Sequence, residues 1–421
     1  MAMTHTTTED LSLLRRFRRD LHRIPELDRN LPKTIAYIEA VLNDLACTVF
    51  HPSADTVCAF FQTASDGTDA LALRADMDAL PIAERTGVSF ASEHAGCMHA
   101  CGHDAHMAMV LAAAMYLDRM VRTKTTLPAN VLLVFQPAEE TDGGAREVTA
   151  SGVFDEYRVR AIVGFHVWPD LPAGTIWSRP GALLARASET HVKIAGTPRH
   201  IAKTFGLSDA QSSDALLAGA AFVAAAHAGL EELGRQEPCI CRFGQFSAGT
   251  VINAVAGSAT VAGSLRVFSD AMFRKAQEVL AQALRVSCER FGCTGSIDFA
   301  EGYPPVINDR GLWEWARGLL GASDQTPALS YLRDPLLIAE DFSFYQQSLP
   351  GLFLLLGVGE PVHPCTELLE SAEDARIPFA SSGLHTETLI FDEVALLPGL
   401  RAYQRFIRDG LATFLPSEPV L

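Results

Sequence analysis

The chain has 421 residues, of which 48% are hydrophobic and 20% are charged. A chain of this length usually forms two domains, and its composition excludes extended disorder. The formal net charge is −16, and the one basic cluster that stands out is short, at Arg15–Arg19. Recognition of nucleic acid needs a larger basic patch, so we do not expect nucleic acid as a partner.

The N-terminal segment lacks the apolar stretch of a signal peptide, and we find no apolar span of 18 residues further along the chain. We therefore expect a cytoplasmic protein without a membrane partner. Nine cysteines scattered through a long chain favour reduced thiols over a disulfide scaffold. Cys239 and Cys241 have no second pair to complete a zinc site, so we interpret them as structural.

Helices and short apolar runs alternate in the first part of the chain. Two helices are expected within residues 11–46, and apolar runs follow at 71–75, 131–135 and 161–165, with a later one at 352–357. Runs that are apolar throughout are typical of strands buried on both faces. The pattern predicts an α/β domain with a mixed, mostly parallel sheet flanked by helices.

Polar residues stand at the end of each of the first three runs. Asp76 and Asp78 follow the first, Glu139 and Glu140 follow the second, and His166 follows the third. Ligands of open α/β sheets bind outside the carboxyl ends of the strands. We therefore expect these side chains to line one crevice.

A second group of candidate ligands lies at the start of a predicted helix. Cys101 and His103 flank Gly102, and a long helix begins near His103. Sulfur, imidazole and carboxylate ligands together suit a divalent ion that keeps one position open for water. The Cys-x-His spacing alone is weak evidence, because a free cysteine is commonly a small buried hydrophobe.

The adjacent carboxylates Glu139 and Glu140 repel each other unless a cation or a shared proton offsets the repulsion. One would then ligate metal while the other acts as general base, although a solvated acidic loop is the alternative. His166, and His385 in the late loop SSGLHTE, are individually compatible with structural roles. Asp78 is either a surface turn residue or a partner that orients a ligand histidine.

The pattern changes at about residue 184. Over 184–300 the order is strand, helix, two strands and helix, which predicts an α+β unit that closes on itself. The alternating pattern then returns. We therefore predict one domain built from 1–183 and 301–421, interrupted by a second domain at 184–300.

The motifs RADMDALP, HACGHDAH, QPAEE, GFHVWP, AEDFSFY and a late Gly-Leu-His occur in this order along nearly the whole chain. In this the chain resembles the M20 metallopeptidase family, and most closely its M20D amidohydrolases. That group includes hippurate hydrolase, auxin-conjugate hydrolases, N-acetyldiaminopimelate deacetylase and N-acyl amino acid amidohydrolases. The resemblance implies hydrolysis of the amide bond of an N-acyl amino acid.

The resemblance also implies roles for individual residues. Glu139 would be the catalytic base, and Cys101 would stand where other M20 branches have a bridging aspartate. One or two divalent ions, of zinc, manganese, nickel or cobalt, would be held by a mixed set of ligands: Cys101, His103, Glu140, His166 and His385. The inserted domain would be a ferredoxin-like lid through which a homodimer forms.

Within the lid, the run from Gly196 to His200 matches the family pattern, so His200 is implied to stabilise the tetrahedral intermediate, across a dimer. Thr204 and Phe205 stand where Pro-His is usual, which puts the substrate preference in doubt. Asn253 and Arg266 resemble lid residues that meet the substrate's carboxylate or oxyanion, and sheet-capping roles are the alternative.

Glu340 and Asp341 match the family's AEDF loop, and we interpret them as support for the site. Rival functions remain. These are a peptidase on the same scaffold, an amidase with Cys101 as nucleophile and His103 or His166 as base, a non-catalytic binder, and a transferase.

Overall fold

A computed structural model of the chain describes residues 7–65, 68–322, 326–360 and 379–410. The helices are α1 (Thr7–Arg23), α2 (Pro32–Leu42), α3 (His103–Arg122), α4 (Gly144–Ala150), α5 (Val153–Glu156), α6 (Asp209–Ser212), α7 (Ala215–Leu233), α8 (Asp270–Arg290), α9 (Arg310–Gly321), α10 (Ser343–Gln346) and α11 (Leu397–Asp409), with short 3₁₀ helices at Ile201–Thr204 and Glu393–Leu396. The strands are β1 (Thr48–Phe50), β2 (Val57–Phe61), β3 (Ala70–Asp76), β4 (Asn130–Gln136), β5 (Val159–Pro172), β6 (Ile176–Ser178), β7 (Gly181–Leu184), β8 (Arg186–Ala195), β9 (Cys239–Ala248), β10 (Ser258–Val267), β11 (Thr294–Phe299), β12 (Val306–Asn308), β13 (Leu329–Tyr331) and β14 (Gly351–Gly359).

The chain divides into two compact units. The first comprises Met1–Leu183, Ile307–Asp334 and Asp341–Leu421, and the second comprises Leu184–Val306 and Pro335–Glu340. The first unit is therefore built from segments on both sides of the second. The second unit extends past the predicted end at residue 300 and takes in a short later segment, which no local pattern in the sequence marks.

The first unit contains an eight-stranded sheet in the order β1-β2-β4-β3-β5-β14-β6-β13. The central strands β4, β3, β5 and β14 run parallel to one another, whereas β1, β2 and β6 join the sheet through antiparallel pairs. β3, β4 and β14 are buried along their whole length, as their apolar runs predict. The predicted mixed, mostly parallel sheet is confirmed.

Helix α3 lies in the core of this first unit. Its sequence from His103 to Ala114 is buried at every position, because α3 contacts α1 and α11 as well as strands of the sheet. α1 contributes one apolar stripe at helical spacing, with Leu14, Phe17 and Leu21 fully buried. This packing holds the first turn of α3 against the carboxyl ends of β3 and β5.

The second unit has a four-stranded antiparallel sheet in the order β11-β8-β10-β9, against which α7 and α8 pack. Chain order β8-α7-β9-β10-α8-β11 is the ferredoxin-like arrangement. α7 begins at Asp214, whose side chain accepts hydrogen bonds from the amides of Leu216 and Leu217. Phe222 and Leu230 lie on the buried face of α7 at helical spacing.

α7 is also long and apolar enough to span a membrane by length and composition alone. The uncharged stretch between Asp214 and Glu231 has 16 residues, so this helix does not contradict the expectation that the chain lacks an 18-residue apolar span. A core helix passes the same test, so one such helix is weak evidence for a membrane segment.

Candidate metal centre

The centre lies at the carboxyl ends of three neighbouring strands of the first unit. β3 ends at Asp76 and β4 ends at Gln136, and β3 pairs with both β4 and β5. His166 does not follow its strand as predicted, because β5 continues to Pro172. However, β3 and β5 pair only as far as Gly164, and so His166 still lies beyond the region that the two strands share.

A left-handed glycine places the next two candidates beside β5. Gly102, which precedes the first residue of α3, has a φ of +86°, and a Cβ there would lie 2.4 Å from Cγ2 of Val167. Only glycine adopts this conformation without strain and leaves room for the valine. Cys101 and His103 are thereby held on either side of the turn, and both are buried.

Asp78 bonds both to the turn that carries Glu139 and Glu140 and to His103. Its two carboxylate oxygens each accept a backbone N–H, from Glu139 and from Glu140, at 3.0 Å. Its carbonyl oxygen accepts a hydrogen bond from Nδ1 of His103 at 2.8 Å. Asp78 thus contacts a candidate ligand histidine, more closely through its main-chain carbonyl than through its carboxylate, and its orienting role stays a prediction. Ala138, with a φ of +57°, makes the turn that precedes both glutamates.

The hydrogen bonds of His103 and His166 determine which ring nitrogen is free. Nδ1 of His103 donates to the carbonyl of Asp78, and Nδ1 of His166 donates to the carbonyl of Val167 at 2.7 Å. In the neutral form of both rings Nε2 is then the unprotonated nitrogen. Nε2 of His166 lies 3.4 Å from Sγ of Cys101. A main-chain partner on the second nitrogen is the usual arrangement for a metal-ligating histidine.

His385 reaches the same place from a late loop. Its backbone N–H donates to the carbonyl of Ala100 at 2.8 Å, which docks the loop beside Cys101. Nε2 of His385 lies 3.2 Å from Oε1 of Glu140. The residue itself has a φ of +60°, an uncommon conformation for a side chain of this size, and such conformations cluster at functional sites.

Two groups of possible ligands share one thiol. Cys101, His103 and His166 form one group, and Cys101, Glu140 and His385 form the other; in each, the ligand atoms lie within 4.8 Å of one another. Among the described residues, Nε2 of His103 is buried without a hydrogen-bond partner, and the buried Oε1 of Glu140 has a 3.2 Å ion-pair contact with Nε2 of His385. Buried polar atoms are rarely left unpaired, so this donor set fits one or two divalent ions.

The electrostatics of the cluster also favour a cation. Burial, with Glu140 and Glu139 nearby, raises the pKa of the Cys101 thiol well above its usual range. Burial lowers the pKa of His103, but the carboxylates of Asp76, Asp78 and Glu140 outweigh this and raise it to about 10. A thiolate here, beside carboxylates, therefore needs additional positive charge to be stable.

The pKa of His166 shifts in the opposite direction to that of His103. Burial, with His106 and His103 close by, lowers the pKa of His166 to about 3, so its ring is neutral. Burial raises the pKa of Glu140, whereas His385, His103 and Cys101 act in the other direction and bring it below its usual value. A neutral imidazole and an ionised carboxylate are the forms in which these residues bind metal.

Sequence reasoning named Asp76 and Asp341 but missed the residues that join them in a buried polar layer. Arg74, His106 and Gln136 are buried there and bond to these two carboxylates or to each other. His106 lies three residues after His103, so their shared helix face was a signal that could have identified it. Arg74 also carried a signal, because it lies within the run 71–75 that predicts a strand buried on both faces, where a charged side chain needs buried partners.

The predicted lid residues lie in the second unit. His200 and Asn253 are exposed on neighbouring segments, joined by a hydrogen bond from the amide of Ile201 to the carbonyl of Asn253 at 3.1 Å. Arg266 lies near the other end of β10, where its Nε donates to Oγ of Ser264. Burial lowers the pKa of Arg266. The unit thus brings His200 and Asn253 together and separates Arg266 from them.

Residues 72–408 match the sequence profile of Peptidase family M20/M25/M40. The chain belongs to this family. An uncharacterized hydrolase of Staphylococcus epidermidis is 32% identical over 407 residues, which cover 95% of this chain and 98% of that one. The M20 resemblance predicted from the motifs is therefore confirmed.

Two solved structures of similar proteins cover nearly the whole M20 chain. A presumptive aminohydrolase of methicillin-resistant Staphylococcus aureus is 26% identical, with a TM-score of 0.82, and the match covers 96% of this chain and 97% of that one. The YxeP protein of Bacillus subtilis, described as a dinuclear metal-binding peptidase of the M20 family, is 26% identical, with a TM-score of 0.78 and coverage of 97% and 100%. This chain is accordingly a hydrolase of the M20 family, and its ligand groups are those expected of a metal-binding member.

Proposed function

We propose that this M20 hydrolase cleaves the amide bond of N-acyl amino acids, releasing an amino acid and a carboxylic acid. The observation that supports this most directly is the position of Glu139. Glu139 forms a third group with His103 and Glu140, whose ligand atoms lie within 4.8 Å of one another, but it belongs to neither of the two groups that share Cys101. A carboxylate that lies beside the centre and is not needed to complete the groups around Cys101 is suited to take a proton from water.

Each residue has a distinct part in the proposed reaction. Cys101, His103, Glu140, His166 and His385 would hold one or two divalent ions. Such ions lower the pKa of water to about 7 and polarise a carbonyl oxygen. Glu139, 6% exposed, takes the proton from the attacking water and later gives it to the leaving amine. Asp78 holds the amides of Glu139 and Glu140, so the base and the ligand keep a constant separation.

A peptidase acting on small peptides is the second candidate function. It is favoured by the similarity to the B. subtilis protein, a dinuclear metal-binding peptidase, whereas the S. aureus relative is described as an aminohydrolase. Both reactions cleave an amide with the same groups. They differ in what lies on the acyl side of the bond, so a substrate screen separates them.

The thiol amidase alternative is less well supported. A nucleophilic cysteine needs a lowered pKa, but burial and two carboxylates raise the pKa of Cys101. The histidines nearest to its sulfur also use Nδ1 on main-chain carbonyls in the way that metal ligands do. Chelation separates the two mechanisms, since a thiol amidase would retain activity after metal removal.

We further propose that the second unit supplies His200 and Asn253 to the substrate across a homodimer. His200 is exposed beside Asn253, and its Nδ1 accepts a hydrogen bond from the amide of Ala202, so Nε2 is the nitrogen that would meet a ligand. α7 presents Leu216 and Leu217 to solvent, at 45% and 42% exposure, and the edge strand β9 presents Phe246 at 46%. Exposed apolar side chains beside a sheet edge are typical of a protein interface.

The role of Glu139 is tested by Glu139→Gln. We expect loss of turnover on every substrate that the wild-type enzyme cleaves, with metal content unchanged, because the substitution removes the base and spares the ligands. Metal content is measured by mass spectrometry of the dialysed protein. Glu147→Gln on α4 is the matched control, since Glu147 is exposed and its side chain pairs with Arg29. Normal turnover by the Glu139→Gln enzyme would refute the mechanism.

The substrate class is tested by a screen. N-acetyl, N-benzoyl and N-indolylacetyl amino acids, together with dipeptides, are offered to the enzyme supplied with Mn²⁺, Zn²⁺ or Co²⁺. We expect kcat/KM to be higher for the acylated amino acids than for the dipeptides. Preference for dipeptides would replace the proposal with the peptidase function.

The dimer is tested by sedimentation of the wild-type chain and of the variant with Leu216→Glu and Leu217→Glu. We expect the wild type at twice the chain mass of 45.4 kDa and the variant at that mass itself, because buried charges disfavour an apolar interface. Val286→Glu on α8 is the control, since Val286 is 47% exposed and lies outside the proposed interface. A monomeric wild type would contradict the proposal.

A further inference from the structure

His106 lies on α3, one turn after His103, and is 1% exposed. Its Nε2 accepts a hydrogen bond from the backbone N–H of Val167 at 2.9 Å. Its other nitrogen, Nδ1, lies 2.6 Å from Oδ1 of Asp76. Since Nε2 is an acceptor, Nδ1 carries the proton and donates it to the carboxylate. Both ring nitrogens of His106 are therefore in use.

This pairing decides between two possible roles for His106. Asp76, His103 and His106 also place ligand atoms within 4.8 Å of one another, so the three could be taken for a metal site of their own. Ligation through Nε2 would break the bond to the Val167 amide, and ligation through Nδ1 would displace the proton shared with Asp76. His103, by contrast, has a buried Nε2 without a hydrogen-bond partner among the described residues.

The peptide of Val167 connects His106 to the metal centre. The N–H of Val167 is held by His106, and the carbonyl of the same residue accepts the proton on Nδ1 of His166. Val167 is fully buried, and its side chain fills the space left by the missing Cβ of Gly102. A shift of this residue would therefore turn the His166 ring relative to Cys101.

Asp76 is in turn held by a hydrogen bond from Arg74. Nη1 of Arg74 donates to Oδ2 of Asp76 at 2.9 Å, and Nη2 donates to Oδ1 of Asp341 at 2.8 Å. Arg74 and both carboxylates are at most 1% exposed. Charge-assisted hydrogen bonds between fully buried groups hold a narrow geometry. His106 is thus bonded through Nδ1 to Asp76, which Arg74 holds in place, and through Nε2 to the Val167 amide beside the metal centre.

We propose that His106 is a positioning residue, which orients the candidate ligand His166 through the Val167 peptide and is not a ligand itself. This rests on the metal centre proposed above. Partners that orient ligand histidines typically change metal affinity 10–100-fold when they are replaced. The positioning role depends on one atom of His106, the acceptor Nε2 that faces the Val167 amide.

Two amide substitutions separate that acceptor from the rest of the side chain. In His106→Gln the side-chain oxygen can take the place of Nε2 and accept from Val167, whereas the shorter side chain in His106→Asn can replace only Nδ1 and its bond to Asp76. We expect the dissociation constant for Zn²⁺, measured on the full chain against a chromophoric chelator, to rise by about 10–100-fold in His106→Asn. It should stay close to the wild-type value in His106→Gln.

Two further measurements exclude a general loss of stability. The absorption spectrum of the Co²⁺-loaded protein should change in His106→Asn and not in His106→Gln, because the spectrum reports the ligand geometry. Tyr345→Phe removes a 3.0 Å hydrogen bond to Gln136 elsewhere in the buried layer, and it should leave the Zn²⁺ affinity unchanged. If the His106→Asn chain does not fold, His106→Met takes its place, since it keeps the volume and lacks a strong acceptor.

The outcomes are distinct. Wild-type Zn²⁺ affinity in His106→Asn, or an equal loss in both amide variants, would overturn the positioning role and leave the proposed function intact. A wild-type protein that binds none of the metals would overturn the positioning role together with the proposed function.

Discussion

In the first unit, the partner of each ring nitrogen determines what a buried histidine can do. His103 and His166 use Nδ1 on main-chain carbonyls and keep Nε2 for the centre. His106 uses both nitrogens. His22, on α1, uses both on carboxylates, with Nδ1 2.8 Å from Asp104 and Nε2 3.2 Å from Glu84. Four similar side chains thus have three different environments.

His22 should stabilise the protein in a pH-dependent way. Burial, with Arg18 nearby, lowers its pKa, but Asp104 and Glu84 outweigh this and raise it to about 9. A pKa raised on folding stabilises the folded state fully below about pH 6.5, and this stabilisation disappears as the pH rises through 9. From the size of the shift, His22→Gln should lower the free energy of unfolding at pH 6 by on the order of 3 kcal/mol.

Urea unfolding of both proteins between pH 6 and pH 10 checks this. The difference in unfolding free energy should shrink steadily above pH 7 and be smallest near pH 10. His51→Gln is the control, because His51 is partly exposed and its ion pair with Glu39 is screened by solvent. A difference that stays constant across this range would show that the contribution of His22 is packing and not charge.

At the scale of elements, the turn into α3 is the most constrained part of the centre. α3 begins at His103, and Gly102 before it takes a conformation that side chains rarely adopt. The opposing atom is the γ-methyl of a buried, β-branched valine, whose side chain has little freedom to move. One position therefore sets both the start of the helix and its distance from β5.

Gly102→Ala should destabilise the protein more than the same change at Gly96. Both glycines have a positive φ, +86° and +82°, but a Cβ at Gly96 would meet nothing within 4 Å. Gly96→Ala should cost about 1–2 kcal/mol from the backbone alone. Gly102→Ala should cost about 1–3 kcal/mol more, because Val167 must move.

Chemical unfolding of both variants measures the difference, and Zn²⁺ affinity is measured in parallel. We expect the affinity to fall only in Gly102→Ala, since Val167 is the neighbour of His166. Equal destabilisation by the two substitutions would mean that Val167 moves without lowering the free energy of unfolding.

At the scale of the whole molecule, the candidate residues are divided between the two units. The possible ligands and Glu139 all belong to the first unit, whereas His200, Asn253 and Arg266 belong to the second. Each unit has its own hydrophobic core. Removal of metal should therefore destabilise the first unit.

Hydrogen exchange measured by mass spectrometry, with excess Zn²⁺ and with EDTA, tests this division. Chelation should speed exchange in three peptides of the first unit, which cover residues 98–106, 136–143 and 383–387, because bound metal stabilises the folded state of its ligands. Peptides from α7 and α8 should be unaffected. Faster exchange throughout the second unit would show that metal stabilises the whole chain as one body.

Several features of the fold were predictable because they depend on local patterns. The apolar runs became β3, β4, β5 and β14, since strands buried on both faces are mostly apolar. The length of β5 past His166 was not predictable, because it depends on pairing with β14. The end of the second unit at Val306, instead of residue 300, likewise depends on contacts between distant segments.

The sequence by itself determined the family and the alternation of elements, and it predicted a set of candidate metal ligands. These depend on residue types and their order along the chain. Only the tertiary structure decided how those residues are used. The amide that His106 holds is 61 residues away, and the two carboxylates joined by Arg74 are separated by most of the chain. Free ring nitrogens and buried charge pairs exist only once such segments meet, so no local pattern can encode them.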